Sequence, residues 1–369
     1  MSDQSGARRS VAETLPGEED LRFIRNFHDI FLSLGIAMFA AGLGIATTIL
    51  VGPMIEDASR ASEASFQRAM LIVGAAASAN ALVMWLMGEF FARGRRLFLP
   101  AIVILLAFTL FFMIAAAAAY GVCVGADEAF FERLEGLGLD GVIREASGFG
   151  VTVGAATTLA IFAFYARMKL PFAMGLGAAS LAGVGVAGAY YLWPERAADI
   201  TNPAQLAAGL FLFLLGVAFD ARDPARETRI SDNGFWLHFF AAPTILNAVL
   251  ALTVGLDMLT KNQTGAAVVT LTVVAGFAFV SLLINRRALL VAGLLYALVS
   301  IGVLISKVGL SGAWTAALTL LLMGGTMVLL GGGWHSIRRL VVAPFPKEGL
   351  MARIIPPEPP RESRRRVSE

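Results

Sequence analysis

Residues 220–247 read DARDPARETRISDNGFWLHFFAAPTILN and join a charged, turn-rich connector to a long apolar segment. The apolar part carries Trp236, His238, Pro243 and Asn247. Because polar groups are costly in hydrocarbon, this is where the sequence departs most from a plain membrane helix. The stretch predicts a helix that enters a membrane from a polar loop and takes polar groups in with it.

The composition places the whole chain in the membrane class. The 369 residues are 57% hydrophobic and 15% charged, whereas charged residues make up about a quarter of soluble domains. The apolar residues form runs of about 20, long enough as helices to cross a hydrocarbon core of about 30 Å. A membrane β-barrel would show short alternating segments instead. The sequence therefore predicts an all-α, polytopic transmembrane helix bundle.

Hydropathy predicts ten spans, which together form a transmembrane domain over residues 29–334. A cytoplasmic segment, 1–28, precedes this domain, and a basic, Pro-rich tail, 335–369, follows it and is predicted to be disordered. The spans are 29–52, 69–90, 97–122, 148–166, 171–192, 203–220, 235–257, 264–284, 288–306 and 311–334.

The basic residues predict that both termini are cytoplasmic, because cytoplasmic loops carry an excess of Lys and Arg. With the N-terminus inside, 22 of the 29 Lys and Arg residues fall on the inner side. The outer side holds the remaining seven: Arg60, Arg68, Arg133, Arg144, Arg196, Lys261 and Lys307. This asymmetry sets topology and does not indicate nucleic-acid binding.

Several function classes lack support in the sequence. The single cysteine, Cys123, excludes an intramolecular disulfide and a Cys-based metal motif. There is no phosphate loop, nucleophile elbow or HExxH motif, so we expect neither an enzyme nor a bound cofactor. The first apolar run is too long for a cleavable signal peptide and is interpreted as a retained helix.

Four residues are candidates for a substrate-binding cavity: Asn80 in the second span and His238, Pro243 and Asn247 in the seventh. Proline inside a helix removes a backbone donor, and the freed backbone groups can line a cavity. The alternative is structural, since Asn in a span commonly hydrogen-bonds a neighbouring helix.

All three histidines, His28, His238 and His335, are predicted at the cytoplasmic boundary. If their helices converge, the imidazoles could hold a metal ion, oriented by nearby carboxylates. Their spacing, however, matches no recognised zinc motif. The alternative is that they anchor helix ends at the interface.

The connector 220–234 is predicted to fold back against the bundle. It contains Asp220 and Asp232, and the next inner hairpin contains Arg286 and Arg287. We expect ion pairs between these two sets of charges. The alternative is a solvated loop whose mixed charges keep it soluble.

At FWLHFFAAP (235–243), NRRALLVAGLLYAL (285–298) and GWHSIRRL (333–340), the chain resembles a group of uncharacterised bacterial multi-pass inner-membrane proteins. The likeness covers about 205–342. It implies a bacterial inner membrane, and it implies no particular activity.

Two function classes fit these observations. The first, which we favour, is a small-solute transporter or channel-like protein with a cavity near the seventh span. The second is a non-transporting structural, sensory or scaffold protein that acts through cytoplasmic partners. In both, the lipid bilayer is the main partner, and a homo-oligomer or a cytoplasmic protein is a further candidate partner.

The topology can be tested with reporter fusions. Fusions after Arg96, Arg229 and Arg339 should report a cytoplasmic location, and fusions within 125–147 an external one, because of the basic-residue asymmetry. A reversed pattern would refute the orientation.

Overall fold

The structure is a computed structural model that describes residues 27–60, 65–125, 128–224, 226, 230–346, 349 and 355–356. These residues form α-helices, and no strand occurs among them. The helices are α1 (Phe27–Arg60), α2 (Ser65–Gly88), α3 (Phe98–Cys123), α4 (Glu128–Glu135), α5 (Leu139–Met168), α6 (Pro171–Leu192), α7 (Ala197–Asp220), α8 (Ile230–Thr253), α9 (Gly255–Lys261), α10 (Gln263–Ile284), α11 (Ala288–Ser306) and α12 (Gly312–Val342). A π-helical turn, Glu89–Gly94, follows α2. The predicted all-α fold is confirmed.

Ten helices in the described part of the chain are long and apolar enough to cross a membrane. They match the ten predicted spans in order, so the chain is a multi-pass membrane protein. Several begin earlier or end later than hydropathy indicated, as α5 begins at Leu139 and α12 ends at Val342. Glu and Arg are good helix formers, so these helices continue past their apolar segments.

The described residues fall into two compact units. The larger unit comprises Arg22–Gly216 and Asp232–Gln263, and the smaller unit includes Val217–Ser231 and Thr264–Glu369. In the larger unit, buried side chains of α1, α2, α3, α5, α6 and α8 form one apolar core. In the smaller unit, α11 packs against α12.

Helix α8, which contains most of the stretch quoted first, is the most deeply packed candidate span in the described chain. In its most apolar part, 39% of the residues are buried, against 11–33% in the other nine. Glycines on neighbouring helices make this burial possible. A Cβ at Gly175 of α6 would lie 2.8 Å from the Trp236 Cβ, and one at Gly209 of α7 would lie 2.6 Å from the Ile245 Cγ1. Only a residue without a side chain allows such close approach.

Three inner hairpins turn through the same backbone conformation. Arg96, Lys169 and Asn285 have φ angles of +54°, +55° and +54°, in the left-handed region. Asn adopts this region more readily than Arg or Lys. In the first two hairpins the next residue is an extended leucine that precedes the following helix.

Substitution of Gly209 tests the packing of α8. In Gly209→Ala, the new methyl group would clash with the Ile245 side chain and its backbone nitrogen, 3.0 Å away. We expect a loss of about 1–3 kcal/mol of stability, as is usual for overpacking. Thermal unfolding in detergent would measure it.

Gly185→Ala on α6 is the matched control, because a Cβ there meets nothing within 4 Å. Equal stability of the two variants would contradict the close packing of α7 on α8.

Candidate functional site

The structure places the three predicted site residues of α8 on different faces of that helix. His238 is fully buried, and its ring packs edge-on against the Phe213 ring at 5.1 Å. Pro243 and Asn247 lie on an exposed face. At 3.6 residues per turn, Asn247 lies about half a turn from His238 around the axis. Helix α8 is continuous through Pro243.

The His238 ring occupies space that a glycine on α7 leaves open. A Cβ at Gly216 would lie 2.9 Å from the imidazole Cε1 and 3.0 Å from Nε2. The ring therefore fills the space that a side chain at 216 would need. This close contact indicates a packing role for the imidazole.

Asn80 lies elsewhere, in a groove between α1, α2 and α3. Its Nδ2 donates to the Thr47 Oγ1 at 3.1 Å, and the Thr47 hydroxyl lies 3.2 Å from the Asn80 Oδ1. The predicted interhelical hydrogen bond is thus present. It leaves the amide a second N–H and further lone pairs for another partner.

The groove has a volume of about 600 Å³. Its walls are apolar and small side chains of α1 and α2 together with Phe111 and Ile114 of α3. The polar side chains in its lining are Thr47, Thr48 and Asn80, and none of the lining residues is ionisable. Such a space suits a neutral, mostly apolar molecule that makes one or two hydrogen bonds.

The groove ends where the core of the larger unit begins. Its lining on α1 runs from Ala41 to Ile55, near the end of that helix. In the other direction, Ile36, Met84 and Phe108 are buried in the apolar core. With the predicted topology, the groove lies in the outer half of the bilayer.

The histidines receive no support as a metal site. In the described part of the chain, no group of three or more His, Cys, Asp or Glu side chains is arranged to hold a metal ion. His28 is exposed at the start of α1, and His335 lies in α12. A metal on His28, His238 and His335 remains an untested prediction.

One of the ion pairs predicted for the connector, that of Asp220 with Arg286, is present in the smaller unit, whereas residues 225 and 227–229 of the connector lie outside the described residues. The Arg286 Nε donates to the Asp220 Oδ2 at 3.0 Å, and its Nη2 donates to the other carboxylate oxygen and to the Ser231 carbonyl. The side chains are 3% and 9% exposed, so this is a buried ion pair. The Arg287 guanidinium lies over the Trp334 ring, 5.2 Å from its centroid.

Further contacts around this pair were not predicted from the sequence. Arg226 donates to the carbonyls of Asn285 and Ile284, each at 2.7 Å. The Trp334 indole N–H donates to the Asn285 Oδ1 at 2.8 Å. These contacts fix the turn between α10 and α11. In the sequence, the adjacent polar residues Asn285, Arg286 and Arg287 were the feature that could have indicated such contacts.

The tail also contributes to this region. The buried Arg338 side chain donates to the Leu282 carbonyl at 3.1 Å and to the Pro356 carbonyl at 2.7 Å. Ile355 and Pro356 are themselves buried. These two described residues of the tail therefore pack against the end of α12, while the disorder predicted for 335–369 as a whole remains a prediction.

Comparison of the chain with protein families, with curated proteins and with solved structures finds no match. The resemblance to bacterial inner-membrane proteins therefore stays a prediction.

The buried ion pair can be tested by a double-mutant cycle. Asp220→Asn leaves the Arg286 guanidinium buried beside a neutral group, so we expect a loss of about 3–5 kcal/mol. In the double variant Asp220→Asn, Arg286→Gln we expect a smaller loss than the sum of the single ones, with a coupling energy of about 1–3 kcal/mol. Reversible unfolding in mixed detergent micelles would measure these values.

The exposed pair of Glu89 and Arg167 provides the control. Glu89→Gln should cost much less than Asp220→Asn, because water solvates the guanidinium that remains. Additive losses in the cycle would contradict a direct interaction between Asp220 and Arg286.

Proposed function

We propose that this protein is a small-solute transporter of a bacterial inner membrane, and that its solute site is the groove at Asn80. The observation that carries the proposal is an apolar space of about 600 Å³ with the hydrogen-bonding groups of Asn80 and Thr47 in its lining. Ligand sites in proteins commonly have volumes of about 300–1,000 Å³, apolar walls and a few placed polar groups. The groove has each of these features.

The chemistry of the walls defines the class of solute. A charged molecule would lose its hydration on entering the groove and would find no opposite charge there, because none of the lining residues is ionisable. A neutral molecule with an apolar skeleton loses little on entry. One amide, hydroxyl or carbonyl group could replace its hydrogen bond to water with one to Asn80.

The packing of α1 supports a moving part at this site. In its most apolar part, α1 is 11% buried. A Cβ at Gly35, Gly42 or Gly52 would meet nothing within 4 Å. Because few contacts hold α1 at these points, it can shift at a lower cost than the closely packed α8.

The second candidate is a non-transporting sensory or scaffold protein. The buried contacts of Asp220, Arg286 and Arg338 favour it, because they give the connector, an inner hairpin and part of the tail a defined arrangement. A partner protein could recognise such a surface. The two candidates differ in whether the groove must open to both sides of the membrane.

A cysteine at Asn80 distinguishes them. In a Cys123→Ala background, we expect Asn80→Cys to react with a membrane-impermeant methanethiosulfonate from outside in right-side-out vesicles and from inside in inverted ones. A carrier must expose its solute site to each side in turn. Met84→Cys, one turn further into α2 and fully buried, is the control and should be protected.

Gly52→Phe should slow the labelling of Asn80→Cys from outside by a factor of about ten, equivalent to about 1.4 kcal/mol. Its ring can enter the groove, which Gly52 lines. Gly35→Phe is the matched control, on the same helix and outside the groove lining. Labelling from outside alone would indicate a sensory cleft, and protection from both sides would indicate a scaffold; either result would overturn the transport proposal.

A further inference from the structure

The inner ends of α2 and α5 in the larger unit form a second surface with distinct chemistry. Two adjacent turns carry five exposed basic side chains and the single carboxylate of Glu89. The basic residues are Arg93, Arg95, Arg96, Arg167 and Lys169. We call this group the basic cluster. With Glu89 counted, it carries four net positive charges on a short stretch of surface.

Glu89 joins the two turns. Its Oε2 accepts from the Arg93 Nη1 at 3.1 Å, and its Oε1 accepts from the Arg167 Nε at 2.5 Å. The helices are also in close contact here, because a Cβ at Gly88 would lie 3.0 Å from the Phe164 ring. Glu89 and Arg93 belong to the π-helical turn, a distortion that is frequent at functional sites. Glu89 therefore fixes two members of the basic cluster, Arg93 and Arg167, relative to each other.

Most N–H donors of the basic cluster are not used by Glu89. A guanidinium has five N–H donors, and Glu89 accepts one from each of two arginines. Arg95 lies over the Phe90 ring at 4.8 Å, and Lys169 lies over the Tyr165 ring at 5.9 Å. Among the residues that the structure describes, the side chains of Arg96 and Lys169 have no hydrogen-bond or ion-pair partner. The cluster can thus donate to an anion without losing an existing bond.

An apolar surface continues from the basic cluster along the same two helices. Leu82 and Leu86 on α2 are each 58% exposed, and Leu159 on α5 is 70% exposed. Leu82 and Leu159 precede Glu89 and Arg167 by about two helical turns, so they lie on the sides of α2 and α5 that carry the Glu89 to Arg167 contact. The basic cluster is therefore continued by an apolar strip about two helical turns long.

We propose that this surface is a specific site for an anionic phospholipid. The phosphate is bound by Arg96 and Lys169 with the remaining donors of Arg93 and Arg167, and one acyl chain lies along Leu82, Leu86 and Leu159. Arginine and lysine bind phosphate by charge-assisted hydrogen bonds. The positive-inside rule explains why basic residues occur here, but it does not require a carboxylate that fixes two of them. That arrangement favours one bound headgroup over a diffuse attraction to the bilayer.

The test measures thermal stabilisation of the purified full-length protein in neutral detergent by added lipid. Phosphatidylglycerol should raise the Tm of the wild type more than phosphatidylcholine does. The double variant Arg96→Gln, Lys169→Gln should lose more than half of that difference, because neither residue contacts Glu89. The control Arg222→Gln, Arg339→Gln removes two exposed basic residues elsewhere and should keep the wild-type difference.

A charge-conserving variant and native mass spectrometry provide two further tests of the lipid site. The charge-conserving variant Arg96→Lys, Lys169→Arg should restore the stabilisation, and native mass spectrometry should show phosphatidylglycerol retained by the wild type but lost from Arg96→Gln, Lys169→Gln. Equal stabilisation by inorganic phosphate would indicate a simple anion site. Equal loss in the control pair would indicate nonspecific attraction. Either result would overturn the lipid site.

Discussion

The close approach of α8 to glycines on α6 and α7 is the contact on which the larger unit depends. Inside a bilayer the hydrophobic effect does not drive helices together, since lipid is as apolar as leucine. Helices associate there through van der Waals contact, which falls off steeply with distance. Gly175, Gly209 and Gly216 provide that contact by leaving room for Trp236, Ile245 and His238. The buried Trp236 and His238 of α8 are thus part of its close packing against α6 and α7.

The charged residues follow a second constraint, because hydrocarbon excludes them from the middle of the spans. The ion pair of Asp220 with Arg286 and that of Glu89 with Arg167 both lie at helix ends. They differ in burial, and this decides what each can do. The buried pair is satisfied by protein groups and fixes a turn, whereas the exposed pair leaves donors free for a ligand. Similar residues therefore serve structure in one unit and offer a binding surface in the other.

Sequence reasoning predicted the helices well, because length and apolarity are local properties of the chain. It also predicted the pairing of Asp220 with Arg286, because opposite charges at neighbouring helix ends have few other partners. It could not predict that His238 would be buried and Asn247 exposed, since that depends on which neighbours each side of α8 meets. The Thr47 partner of Asn80 was missed for the same reason, as a hydroxyl in an apolar run can face lipid or another helix.

The difference in packing between α1 and α8 indicates where motion is possible. A transporter needs a rigid element that keeps its geometry and a second element that moves against it. At three glycine positions on α6 and α7, an added Cβ would lie less than 3 Å from a side chain of α8, so a displacement of α8 toward them would meet steric resistance. Helix α1 carries glycines that face empty space, and it forms one wall of the groove. The groove thus adjoins a helix with few packing contacts, and a solute bound at Asn80 and Thr47 would contact both α1 and the better-packed α2. Its binding energy could then favour one position of α1 over another, which is the coupling that alternating access requires.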